Sequence, residues 1–225
     1  MEKDLKVINF IIKNNEDEDI GQMDGIAIVA DPAMEAQAFF FKKTDDPMPL
    51  NFSSDERMEV TGLAMRANKK ILRYDKKKDE YFYCVFSEKT IRQCAQLFFK
   101  NKANLKVNLE HISSIKLPQA YVFESWVVED PSMDKANSLG IPDVQKGDWF
   151  ISLKVDNKQA WQELKQRYSE GYGGFSVEGL FVNGGEIEEP DVEVYKKMLE
   201  IIENKRYTDE VKLKKIEDLT KNWTK

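Results

Sequence analysis

A single histidine occurs among the 225 residues, His111 in KVNLEHISS. Imidazole is the side chain whose ordinary pKa lies nearest neutrality, so any imidazole-based proton transfer in this protein must use His111. The alternation of Val107 and Leu109 puts His111 on the inward-facing phase at the end of an apolar strand. There it serves either as a general base, oriented and partly desolvated, or as a hydrogen-bonded histidine at the edge of the core. A hydroxyl that such a base could activate stands in GYGGFSVEGLF. Gly171, Gly173, Gly174 and Gly179 bracket a strand carrying Ser176. They allow a peptide backbone to approach closely and leave amide N–H groups for an oxyanion. Period-two geometry puts Ser176 and Glu178 on one strand face and Phe175 and Val177 on the other. A serine with an acid beside it suits acyl transfer, in which a carboxylate orients the imidazole that activates the hydroxyl. By itself the segment also reads as a glycine-flanked strand of structural purpose.

Other residues compete for a chemical role. Ser125, between Glu124 and Trp126 in VFESWVVEDPSMDKAN, is a second candidate nucleophile or a plain strand hydroxyl. Trp126 and Trp149 fit the core or the wall of a groove. The acids Glu129, Asp130 and Asp134 are close in sequence but lack the dense alternation of oxygen ligands in a calcium loop. No phosphate-binding loop, dinucleotide fingerprint or paired-histidine metal motif occurs, so neither a cofactor nor a metal is expected.

The elements that must position these residues are mostly strands. Runs rich in β-branched and aromatic residues occur at Lys6–Lys13, Gly25–Val29, Ala38–Phe41, Met58–Ala67 and Tyr81–Phe86, with turn residues such as Asp31-Pro32-Ala33 and Asp45–Pro49 between them. From Ser87 the period changes. Ile91, Cys94, Ala95, Leu97 and Phe98 have helical spacing behind a serine cap, which predicts a helix over about 88–101. Strands follow at Lys106–Glu110, Ala120–Val128, Asp148–Val155 and Phe175–Val182, with a short amphipathic helix at Lys158–Ser169. Beyond Gly184-Gly185 the composition turns to Lys, Glu, Leu and Ile, and Pro190 stands where a helix would begin. The expectation is a β-dominated α+β domain over 1–185 and a helical tail over 186–225.

Composition narrows the function classes. With 34 basic and 40 acidic side chains the net charge is −6, which offers no global attraction for nucleic acid. The basic runs Lys42-Lys43 and Lys76-Lys77-Lys78 are flanked by Asp45, Asp46, Asp75 and Asp79, which marks solvated turns. Cys84 and Cys94 form neither a disulfide framework nor a zinc spacing, and a reducing cytoplasm fits them. The N-terminal apolar run is short and ends in acids, unlike a signal peptide or a membrane span. A core of real size is within reach at 41% hydrophobic content.

Several of these segments together resemble the XkdF-like phage serine proteases, a group that belongs with the prohead (capsid-maturation) proteases of tailed phages. They are VNLEH with His111, YVFESWVVEDP, KGDWFISLKV at 146–155, the WQELKQR helix and GFSVEG with Ser176, in matching order over roughly 55–182. DGIAIVADPAMEAQAFFF resembles the strand-and-Pro-Ala segment that in standard prohead proteases follows the catalytic serine. Here it comes first, which implies a circularly permuted order of one compact fold. The resemblance implies His111 as base and Ser176 as nucleophile. The equivalent of the family's acid falls on Gly25, with Asp24 one residue earlier, and a one-residue offset reverses the strand face. Glu178 is therefore preferred to Asp24 as the partner of His111, and both stay open. Also implied are an assemblin-like β-barrel wrapped by helices and protein substrates, namely scaffold and major capsid protein. So too are an address inside the procapsid in the bacterial cytoplasm and a tail that could tether the enzyme there. A homo-oligomer is compatible; nucleic acid and membrane are not expected partners.

Overall fold

Runs of Val, Ile, Phe and Tyr recur along this chain at strand length, and each finds a neighbour to pair with. The structure, a computed structural model, describes residues 5–12, 23–29, 39–41, 50–75, 78–109, 112–169, 174–187 and 192–221. Its strands are β1 (Val7–Ile12), β2 (Met23–Val29), β3 (Phe39–Phe41), β4 (Asn51–Phe52), β5 (Glu59–Met65), β6 (Ile71–Asp75), β7 (Glu80–Val85), β8 (Val107–Leu109), β9 (Ile112–Lys116), β10 (Ala120–Val127), β11 (Trp149–Val155), β12 (Gly174–Gly179) and β13 (Phe181–Ile187). The helices are α1 (Glu88–Lys100), α2 (Lys135–Ser138), α3 (Lys158–Ser169), α4 (Val192–Glu203) and α5 (Asp209–Lys221). The fold is thus mixed α+β and rich in strand.

Three sheets result. The first has the order β13-β1-β7-β6-β3, the second β10-β11-β5-β4 and the third β12-β2-β8-β9. None of them closes into a barrel among the described residues. Inner faces of the sheets meet in one apolar core. Trp149, Ile151 and Leu153 of β11 enter it with Ile26 and Ile28 of β2 and with Phe175 and Val177 of β12. Helix α1 covers it with Ile91, Cys94 and Phe98, all fully buried. That helix starts where the sequence places it because Ser87 is extended and its hydroxyl accepts the Thr90 N–H at 3.2 Å. On the outer face of the second sheet, Phe150 packs with Val128, Ala136 and Ile141 in a smaller cluster under α2.

The chain divides into two units, Met1–Glu186 and Ile187–Lys225. The second is a helical hairpin of α4 and α5, on which Ile202, Val211 and Leu213 are exposed. Three strands carry no clear sequence signal. Strand β6 runs straight into a basic turn, β9 (ISSIK) is short and polar, and β4 has two residues. The run predicted as one strand over 175–182 is instead two, β12 and β13, interrupted at Leu180. The turns expected at 31–33 and 45–49 lie outside the described residues.

Candidate active site

The third sheet brings together segments far apart in sequence. Strand β2 lies between β12, its antiparallel neighbour, and β8, its parallel one. In register, Ser176 stands opposite Ala27, and Ala27 opposite Asn108, so all three lie in one row across the sheet. Alternation sends Phe175, Val177, Ile26, Ile28, Val107 and Leu109 to the core. Ser176, Glu178, Gly25, Ala27 and Asn108 therefore share the opposite face.

On that face β2 supplies a floor almost free of side chains. Gly25 pairs with Glu178, and a Cβ on Gly25 would lie 2.7 Å from the Lys106 carbonyl oxygen and 3.3 Å from Glu178 Oε2. Only glycine lets β8 approach this closely while the Glu178 side chain lies across the strand. Asn108 Nδ2, from the far side of the floor, donates to Glu178 Oε1 at 2.7 Å. A carboxylate only accepts, so this contact orients the Asn108 amide. Asn108 is 6% exposed, and its Oδ1 is buried without a hydrogen-bond partner among the described residues. Ser176 is 1% exposed.

His111 and the preceding Glu110 lie outside the described residues, as do Gly171 and Gly173. The residues that flank the pair, Leu109 and Ile112, are register partners between β8 and β9 in the Ser176 sheet. Asp24 is exposed beside a register shift, where the pairing steps from Glu178↔Gly25 to Gly179↔Met23. Alternation along the strand puts Glu178 on the Ser176 face.

The competing residues have structural partners. Ser125 Oγ accepts from Trp149 Nε1 at 2.7 Å, and Trp149 is fully buried. Trp126 stacks on Phe150 and donates to Asp134 at 3.1 Å. Asp134 and Asp130 cap short helical turns through the Ala136 and Ser132 N–H groups, and Glu129 pairs with Arg92. Among the described residues no group of three or more acids, histidines or cysteines is placed to hold a metal ion.

Two further polar clusters stand outside this sheet. Asn51, Thr61, Ser152 and Glu124 form a row across the second sheet. Thr61 and Ser152 share a hydrogen bond of 2.9 Å, Ser152 Oγ donates to Glu124 Oε2 at 2.7 Å, and Lys135 closes on the same carboxylate. Burial pulls the Glu124 carboxyl upward, but the Lys135 and Ser152 hydrogen bonds together hold it below its usual range. Asp148, whose side chain is fully buried, accepts from the Ala67 and Gln145 N–H groups at 2.9 and 3.0 Å and faces Arg66 at 3.4 Å. Burial nonetheless pushes its carboxyl up. Both clusters tie the 128–148 segment to the second sheet.

Asn108 is the residue of this site that sequence reasoning missed. Its signal was its phase: a polar side chain between Val107 and Leu109 belongs to the face opposite the core. Comparison with protein-family models, with curated proteins and with solved structures gives no match. Chemically, the described residues offer a hydroxyl, a carboxylate and an amide on one face, with only the Ala27 methyl group between the serine and the amide.

Proposed function

We propose that this chain is a serine endopeptidase of the prohead type, with Ser176 as nucleophile, His111 as general base and Glu178 as the acid of the site. What supports the reading is the strand order of the third sheet. The segments that carry the resemblance, GFSVEG, DGIAIV and VNLEH, are widely separated in the chain yet are neighbouring strands or lead directly out of one. The segment that comes first in sequence pairs with the serine strand, as a permuted order of one fold requires. On the same reading the three sheets belong to an assemblin-like barrel wrapped by helices.

The reaction is acyl transfer. His111 takes the Ser176 proton while Oγ attacks the peptide carbonyl, and the imidazolium returns that proton to the leaving amine. Water, deprotonated by His111, then attacks the acyl-enzyme, releasing the new carboxyl terminus and regenerating the serine. The substrates are scaffold and major capsid protein within the procapsid. Ser176→Ala is expected to abolish both cleavage of co-expressed capsid protein and labelling by a fluorophosphonate, which bonds to Oγ. Its thermal unfolding should stay near that of the wild type. Labelling that persists in this variant would overturn the nucleophile.

The burial of Ser176 favours a second reading, a non-catalytic head-assembly or scaffold module that keeps the fold, because a nucleophile must be reached by its substrate. A wild-type chain that takes no label and releases no fragments in the presence of capsid protein would establish it.

A further inference from the structure

Asn108 is a buried amide that the fold satisfies by half. Its Nδ2 donates to Glu178 Oε1 at 2.7 Å, while Oδ1 has no hydrogen-bond partner among the described residues. Taking both ends of an amide out of water and returning one hydrogen bond stabilises little, because the unmet acceptor loses its hydration without replacement. An apolar side chain of the same shape would avoid that loss, and the other two residues of β8, Val107 and Leu109, are apolar and buried. Departures from full satisfaction of buried polar groups are expected at functional sites. Glu178 is half-buried, so water can reach its carboxylate, and what the bond supplies to it is direction. Glu178 stands on β12 and Asn108 on β8, and the bond between them spans β2 at Gly25, where Glu178 Oε2 lies 3.3 Å from the place a Cβ would take. Gly25 has no side chain to steer the carboxylate, and the amide holds it across the strand.

We propose that Asn108 is a positioning residue kept in spite of its cost to stability: its Nδ2–H fixes the Glu178 carboxylate on the face that carries Ser176. Asn108 acts through Glu178 and touches no reacting atom itself. The inference rests on the peptidase reading and deepens it, since it names the group that sets the direction of the acid. It also separates two quantities that a purely structural amide would move together, the reactivity of the site and the stability of the fold.

The test measures fluorophosphonate labelling and urea unfolding on the same full-length variants. Asn108→Leu keeps the shape of the amide without its polar atoms. It is expected to lower the labelling rate about 100-fold, the loss that a misplacement of about 1 Å brings. Its urea midpoint should equal or exceed that of the wild type, because the unmet acceptor is gone. Asn108→Asp sets a second carboxyl against Glu178 and removes the donor near neutrality. Like charges raise the proton affinity of such a pair, so as pH falls a proton held on the introduced carboxyl restores the bond to Glu178. The labelling rate of Asn108→Asp relative to wild type should therefore recover toward acid, whereas that of Asn108→Leu stays flat. Three results overturn the role of Asn108 and leave the peptidase reading standing: Asn108→Leu labelling at the wild-type rate, Asn108→Leu losing rate and midpoint together, or a ratio for Asn108→Asp that does not change with pH. Wild-type protein that takes no label removes that reading and this role with it.

Discussion

At the scale of single residues, what a polar group does here is decided by what stands beside it. Ser125 and Ser176 are both strand serines next to bulky neighbours, yet the Ser125 hydroxyl serves the buried Trp149 indole while Ser176 shares a face with Glu178 and Asn108. The contact between Glu178 and Asn108 depends on Gly25. A methyl group there would meet the Lys106 carbonyl at 2.7 Å and crowd Glu178 at 3.3 Å, so β8 or the Glu178 side chain would have to move. Gly25→Ala is therefore expected to destabilise the protein by about 1–3 kcal/mol, as overpacking does. Urea unfolding checks this, and a midpoint equal to that of the wild type would show that the close approach is dispensable. Asn108, absent from the sequence expectation, belongs to the same lesson: its phase was readable, but its partner is 70 positions away.

At the scale of elements, the second sheet shows how a long connection is held down. The segment between β10 and β11 covers the outer face of the sheet through a small apolar cluster. It is fastened by the Lys135 pair with Glu124, by Asn51 donating to the Leu139 carbonyl at 2.7 Å and by the buried Asp148. Because the Glu124 carboxyl sits below its ordinary value of 4.5, its contribution to stability is complete above that pH. The contribution is lost as pH falls through the lower folded-state value. Glu124→Gln should thus lower the urea midpoint by a constant amount near neutrality, and the gap from wild type should narrow below pH 4.5. A gap that stays constant into acid would show that the carboxylate charge is not what fastens the segment.

At the scale of the whole molecule, the chain divides at Glu186, and all described residues of the candidate site belong to the first unit. A chain truncated after Glu186 is expected to keep the fluorophosphonate labelling rate of the full protein, and loss of labelling would show that the tail completes the site. Much of the first unit was legible in sequence. Helices α1 and α3 announce themselves by the 3.6-residue period and, for α1, by its serine cap, because those signals are local. So does the division of β12 into Ser176 and Glu178 on one side and Phe175 and Val177 on the other, since alternation follows from the pleat. Polar or two-residue strands such as β9 and β4 were not legible, because pairing rather than propensity makes them strands. The sequence by itself determined which side chains could do chemistry and which face of its own strand each occupies. Tertiary structure alone decided that β2 lies between the serine strand and Asn108, that Gly25 and Ala27 floor the site, and that Glu178 meets Asn108. Strand order and register are contacts between segments distant in the chain, and no local period encodes them.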